Sequence, residues 1–240
     1  MQRNKPEYPE EDLNATGQAK HYSDWVLSYF RPYICGRVGE VGAGLGLYTA
    51  EILKMGITDI VAFEPAPNLF HILRQKFADS KQVKLVNDYF SAAVKQGAEQ
   101  CDGQFDSIVY INVLEHVEKD DHELEVIYHS LSSGGHLLVF VPALPFLYSR
   151  YDRYVGHFRR YTKKTLQQKM KAAGFRVTHI QYFDSVGIFP WYIFCKLLKQ
   201  FPSEATVSFY DKWVVPLERW FEKMFPPLIG KNLIVIAEKQ

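Results

Sequence analysis

The sequence predicts an α/β fold in which a mostly parallel sheet is covered by helices on both faces. Three observations carry this expectation. Short apolar runs of strand length alternate with segments of helical period along the 240 residues. The first such run, residues 38–41, meets three glycines at alternate positions, Gly42, Gly44 and Gly46, where a strand must turn sharply into a helix. A composition that is 47% hydrophobic and 15% aromatic excludes general disorder and gives one domain a full core.

Taken in order, residues 1–19 read as a flexible N-terminus, because the stretch to Thr16 is rich in charge and proline and has no apolar core. It is expected to be neither a signal peptide nor an anchor. Tyr22 and Trp25 then precede the first strand, 38–41, which feeds a helix through Leu53 that stops at Gly56. Residues 59–64 form the second strand, and Leu69, Ile72, Leu73 and Phe77 make an amphipathic stripe after it. Residues 83–88, 108–112 and 137–141 supply three more strands. Between the last two, Leu124, Ile127, Tyr128 and Leu131 recur at helical spacing after Asp120 and Asp121, and Gly134–Gly135 is expected to end that helix. Thr162 is the expected N-cap of a helix carrying Leu166, Met170 and Ala173 and ending at Gly174. Residues 176–183 and 233–237 complete seven strands, with 184–230 as a helical insertion before the last. The whole of 1–240 reads as a single domain without repeats.

Charge is balanced, with 28 basic and 27 acidic side chains, so nothing pulls the chain globally toward nucleic acid. No basic stripe interleaved with aromatics occurs outside one short arginine loop, and no nucleic-acid partner is expected. Cys35, Cys101 and Cys195 are odd in number, widely separated and lack metal-ligand spacing. They read as buried free thiols in a reducing compartment, which points to the cytoplasm.

The glycine turn is the most informative segment. Backbone amides can approach a polar ligand closely there. A dinucleotide fingerprint, Gly-x-Gly-x-x-Gly, sets its third glycine three residues after the second to seat a pyrophosphate. Here the spacing is two, Leu47 follows, and Glu40 stands two residues before the first glycine. A carboxylate in this crevice repels a pyrophosphate and suits a cation. A plain tight strand-helix connection remains the alternative.

The pattern Glu40-x-Gly42-x-Gly44-x-Gly46 resembles the first motif of class I S-adenosylmethionine-dependent methyltransferases. The resemblance covers about residues 20–183 and 231–240. It implies a Rossmann-like seven-stranded sheet with an antiparallel C-terminal strand pair, and S-adenosyl-L-methionine as cofactor. It further implies that Glu40 helps hold the cationic methionine end, that Gly42, Ala43, Gly44 and Gly46 let the cofactor lie along the turn, and that Tyr22 covers it from a lid helix. Core packing is the other reading of Tyr22. Glu64, 20 residues past Gly44 and followed by Pro65, would accept the ribose hydroxyls, unless it is a simple strand-end charge. Asp88 matches the acidic position near the adenine, or is a turn residue.

Asn112-Val113-Leu114-Glu115-His116 is similar to the Asn-x-Leu-Glu-His motif of many small-molecule methyltransferases. Asn112 and Val113 would meet the cofactor near its sulfur. His116 is a candidate base, or with Glu115 opens a helix. Related quinone-pathway and small-RNA O-methyltransferases bind a divalent metal through Glu-x-x-Glu-His. With Asn112 in the first glutamate's place, one hard ligand is missing and no metal is expected.

Residues 151–162 resemble the Asp-Arg-x-x-Gly-His-x-Arg-Arg-Tyr-Thr element of a bacterial subgroup often found beside sugar-transfer enzymes. This implies a small-molecule, glycan or lipid-linked sugar acceptor. Arg153, Arg159 and Arg160, with Tyr161, would clamp its phosphate or carboxylate, and His157 would take a hydroxyl proton. Alternatively the arginines pair with Asp152 and acidic helix ends as a loop lock.

Aromatic residues crowd 186–228, among them Phe189, Trp191, Tyr192, Phe194, Trp213, Trp220 and Phe221. They suit an apolar acceptor pocket, a peripheral membrane contact or ordinary packing, whereas 186–198 is too short to span a bilayer. The chain is expected to methylate a hydroxyl. A non-catalytic cofactor-binding module and an NAD-dependent oxidoreductase are the other classes, the latter opposed by Glu40. The sequence selects no oligomeric state.

Overall fold

A computed structural model describes residues 19–240. The expectation of a flexible N-terminus therefore lies, except for Ala19, outside the described residues. The chain runs α1 (Lys20–Phe30), β1 (Arg37–Val41), α2 (Leu47–Lys54), β2 (Asp59–Phe63), α3 (Pro67–Lys76), β3 (Val83–Val86), α4 (Phe90–Lys95) and β4 (Phe105–Ile111). It continues through α5 (Asp120–Ser130), β5 (Leu131–Pro142), α6 (Arg150–Tyr154), α7 (Lys163–Ala172) and β6 (Phe175–Phe183). Before β7 (Asn232–Lys239) come α8 (Ile188–Pro190), a π-helical stretch (Trp191–Leu197), α9 (Glu204–Phe209), a second π-helical stretch (Tyr210–Val214) and α10 (Val215–Met224).

The seven strands form one sheet in the order β3-β2-β1-β4-β5-β7-β6. The first five are parallel, and β7 lies antiparallel between β5 and β6, with Val139 opposite Val235 and Ile180 opposite Val235 on its other side. This is the Rossmann-like arrangement with an antiparallel C-terminal pair. Leu233 to Ala237 are buried, as a central strand covered on both faces requires, which is why that run reads as continuously apolar. From β3 at one edge the chain returns to lay β4 against the far side of β1. The strand order reverses there, and a crevice opens outside the carboxyl ends of β1 and β4.

Side-chain alternation divides the core in two. On one face Phe63, Phe90, Phe105, Tyr110, Leu124 and Ile127 pack together. On the other lie Trp25, Phe30, Ile52, Leu73, Phe140 and Phe183, with the Trp25 and Phe183 rings 3.8 Å apart. Thr162 caps α7 through a reciprocal pair with Thr165, which sets Leu166 and Met170 inward.

Three expectations are corrected. The helix expected to run to Gly134–Gly135 stops at Ser130, because Leu131 already pairs with Phe105 in the sheet. The glycines lie inside β5, where a Cβ on Gly135 would stand 2.9 Å from the Ser132 carbonyl oxygen. Of the three cysteines, all free, only Cys195 is buried. Cys35 is exposed, just past the short turn that ends α1. The third strand also ends at Val86, where Asn87 turns its amide to the Glu64 carbonyl.

Candidate active site

The glycine turn is fixed by backbone bonds. The amides of Gly42 and Ala43 both donate to the Phe63 carbonyl, at 2.8 and 3.0 Å, tying the end of β1 to β2. Gly42 has φ +73°, and a Cβ there would come within 2.4 Å of Val113 Cγ2. Gly46 has φ +69°, and its Cβ would strike the Phe77 ring at 2.4 Å. At both positions left-handed backbone and close approach together require glycine. Val113, at the end of β4, thus packs directly on the turn.

Glu40 is 3% exposed; Thr49 of helix α2 stands against its carboxyl, yet its Oε2 has no hydrogen-bond partner. Burial pushes the Glu40 carboxyl up to about 7. A buried carboxylate oxygen without a partner is costly, and a cationic ligand group would compensate it. Glu64 is buried, not a loose strand-end charge. It accepts the amides of Gly44 and Ala66, each at 2.8 Å, and so clamps the glycine turn to the end of β2, while burial raises its carboxyl. Its remaining lone pairs can still accept ligand hydroxyls. Beside it, Asp88 accepts from the Tyr89 amide and Gln96 Nε2, and Asn87 reaches back toward the Pro65 carbonyl. Asn112 is exposed in left-handed backbone, φ +53°, with its amide bonded to the Phe140 carbonyl. The strand ends thus gather Glu40, the glycines, Glu64, Asp88, Asn112 and Val113 along one edge.

Tyr22 follows the packing reading. Its ring meets Trp25, Phe140 and Phe183 edge-on, and its hydroxyl donates to Asp184 Oδ2 at 2.9 Å. Burial first, and then Asp184, raise its phenol well above the ordinary value.

The second cluster joins the turn Leu114–His116 after β4 to the loop around α6. Ser149 and Asp152 form a capping box at the start of α6, with the Ser149 amide donating to Asp152 Oδ2 at 2.8 Å. Asp152 Oδ1 receives His157 Nδ1 at 2.9 Å and Arg160 Nε at 2.8 Å. Burial opposes its charge, but His157 and Arg160 outweigh that and hold the Asp152 carboxyl at about 2. An ionised Asp152 accepts Nδ1–H, which leaves His157 Nε2 as the basic nitrogen. That nitrogen lies 3.7 Å from Glu115 Oε1. Glu115 is fully buried with neither oxygen hydrogen-bonded, and burial lifts it to about 7. The rings of His116 and His157 meet edge to face, 4.6 Å apart, and burial together with His157 holds His116 down to about 3.

The arginines divide. Arg159 donates to Asp120 Oδ1 at 2.7 Å and Arg160 to Asp152, with the Arg160 guanidinium also 4.6 Å above the Trp191 ring. Tyr161 is buried and donates to Asp120 Oδ2 at 2.8 Å. These three side chains form the loop lock. Arg153 is exposed and joins Arg150, Lys196 and Lys199 around a shallow cavity of about 380 Å³.

Sequence reasoning missed Ser149 and Asp120 as parts of this site, and offered Trp191 for an acceptor pocket but not as the ring under Arg160. Ser149-x-x-Asp152 was legible as a capping box. Trp191 and Asp120 reach the loop only through tertiary packing. Spacing also hid a third donor near the Asn112 motif. Ligand atoms of Glu115, His116 and His157 lie within 4.8 Å of one another, a grouping able to hold a metal ion.

Residues 13–180 match a methyltransferase domain family. A tRNA U34 carboxymethyltransferase of Helicobacter acinonychis (strain Sheeba) is 30% identical over 105 residues, and the match spans 42% of this chain but 38% of that protein's length. A SAM-dependent methyltransferase from Archaeoglobus fulgidus superposes with a TM-score of 0.58 at 18% identity, covering 92% of this chain and 94% of that one. A S-adenosylmethionine-dependent methyltransferase from Mesorhizobium loti gives 0.58 at 14% identity, covering 91% and 99%. Identities this low establish a shared fold.

Proposed function

The chain belongs to the methyltransferase domain family, with S-adenosyl-L-methionine as its methyl donor, and on that premise we propose that it methylates a hydroxyl of a small-molecule, glycan or lipid-linked acceptor with His157 as base. The pairing of His157 Nδ1 with an ionised Asp152 carries this reading. When bound, the cofactor supplies a methyl group already activated on a sulfonium. Glu40 and the glycine turn fit that cationic group, since the bare buried oxygen of Glu40 matches positive charge. Glu64, Asp88, Asn112 and Val113 line the crevice along which the nucleoside would extend. Orientation of the acceptor supplies most of the acceleration.

His157 Nε2 takes the acceptor's proton as its oxygen becomes nucleophilic, and Asp152 balances the imidazolium. His157→Ala should lower kcat by roughly 10²- to 10⁴-fold, with cofactor affinity unchanged, in assays that follow methylated product by mass. Unaltered turnover in that variant would overturn the assignment. Arg153, in its cluster with Arg150, Lys196 and Lys199, is the arginine left for an anionic part of the acceptor. The balanced net charge argues against adopting the tRNA substrate of the partial relative.

A second reading has its own observation. The two bare oxygens of Glu115, close to His116 and His157, would be satisfied by a divalent cation. Calorimetry with Mn²⁺ and Zn²⁺ decides it. A saturating heat lost in Glu115→Gln supports the metal, and a flat titration leaves His157 as the base.

A further inference from the structure

The segment between β6 and β7 is folded inside out. Its acids Asp211, Glu218 and Glu222 are all buried, whereas large apolar side chains face water. Asp211 accepts the amides of His21 and Tyr22 at the start of α1, Glu218 accepts the Val186 amide at 2.7 Å, and Glu222 accepts the Ser185 amide at 2.8 Å. Helix α10 shows the inversion most plainly. Val215, Glu218 and Glu222 point inward, while Leu217, Trp220, Phe221 and Met224 form an outward stripe at i, i+3, i+4 and i+7. Leu217 is 72% and Trp220 61% exposed, and the preceding π-helical stretch adds Trp213 at 59%. An apolar face of this kind marks an interaction surface.

Charge selects the occupant. Lys212 and Lys223 are exposed beside the stripe, and of the segment's acids only Glu204 is exposed. In a two-fold dimer this face would meet itself, setting lysine against lysine with almost no carboxylate to pair them. The sequence of residues 1–18 has only Met1, Tyr8 and Leu13 as large apolar groups, too few to cover the stripe. A negatively charged bilayer answers both features: Trp and Phe seat at the headgroup boundary, and lysines meet anionic lipid. Among the described residues no helix is long and apolar enough to cross a membrane, so the contact is in the plane of the surface.

We propose that the 186–229 segment docks the protein on an anionic membrane surface through the outward stripe of α10 and its surrounding lysines. Trp191 stacks on Arg160, and Lys196 Nζ donates to the Tyr148 carbonyl, so the docked segment is fastened to the loop that carries His157. The docking stands whether or not the acceptor is a lipid. It is tested by sedimenting the full chain with vesicles of equimolar phosphatidylglycerol and phosphatidylcholine, and with phosphatidylcholine alone. The wild type should pellet with the anionic vesicles, lose that binding in high salt, and show a blue shift of tryptophan emission. Lys212→Glu and Lys223→Glu should each weaken partitioning by about fivefold or more. Trp220→Glu/Phe221→Glu should abolish it. Each variant's circular dichroism and melting temperature report that it is folded. Failure of the folded wild type to pellet, or pelleting unchanged in the variants, would overturn the proposal. So would a concentration-dependent dimer, dissolved by Trp220→Glu/Phe221→Glu and indifferent to vesicles, which would assign the face to a second copy.

Discussion

Glu40 is the decisive side chain of the proposed cofactor crevice, because its carboxyl is buried and incompletely bonded. Raised from an ordinary value of 4.5 to about 7, it takes up a proton in the folded state at a pH where the unfolded chain has none there. The neutral form therefore favours the unliganded fold below about pH 4.5, and that contribution, roughly 3 kcal/mol at most, is lost as pH rises through 7. Cationic cofactor binding has the opposite dependence, since it needs the carboxylate. Affinity for S-adenosyl-L-methionine should fall about tenfold between pH 8 and pH 6, and Glu40→Gln should bind weakly with a flat profile, both readable by calorimetry. A parallel slope in wild type and variant would remove Glu40 from cofactor binding. Gly42 acts beside it through sterics alone. With φ +73° and Val113 at 2.4 Å from a built Cβ, Gly42→Ala should cost about 1–2 kcal/mol from backbone conformation and more from the clash, measured as a lower melting temperature and weaker cofactor binding.

At the level of elements, the loop 143–162 shows what a sequence discloses and what it withholds. Its residues Asp152, His157, Arg159, Arg160 and Tyr161 were all legible as a unit, and the alternation of strands and helices placed them after β5, beside the motif that follows β4. Whether an arginine clamps a ligand or a neighbouring carboxylate depends on what stands opposite it, which no local pattern encodes. Asp120 looks like an ordinary helix-opening acid, yet it is 1% exposed and receives Tyr161, Arg159 and Lys169. The end of α5 was misplaced for a similar reason, since pairing of Leu131 with Phe105 overrides the glycine stop signal. Glycine turn, Glu40 and Glu64 were readable because a strand-to-helix bend constrains adjacent residues, whereas Glu115 meets His157 across 42 positions of chain. The lock has a measurable role. Asp152→Asn keeps the volume but weakens the hold on His157 Nδ1, so kcat should fall by roughly 10²-fold or more while cofactor affinity stays. A fall in affinity with kcat preserved would make Asp152 purely structural.

Over the whole molecule, one buried acid couples the first helix, the last strand and the inverted segment. Asp184, at the end of β6 with φ +62°, receives the hydroxyls of Tyr22 and Tyr210 and pairs with Lys231 Nζ at 2.7 Å. It also accepts the Gly187 amide at 2.9 Å, which turns the chain out of the sheet and into the insertion. The same site draws in Glu218, whose carboxyl is lifted to about 8 by burial and then by Asp184, and which accepts the Tyr210 hydroxyl. Held this way, α1, the end of β6 and the insertion share one buried acceptor, so Asp184 governs how firmly the insertion is fastened to the sheet. Asp184→Ala strips Lys231 of its partner and leaves Tyr22 and Tyr210 without an acceptor there. Loss of one member of a buried pair costs about 3–5 kcal/mol, which for a chain of this size lowers the melting temperature by about 10 °C. Limited proteolysis should then cut within 186–229 before the sheet opens. A variant that melts with the parent and resists cleavage would show that the insertion is held by its apolar packing on Trp25 and Phe183 instead, and that the polar hub merely orients it.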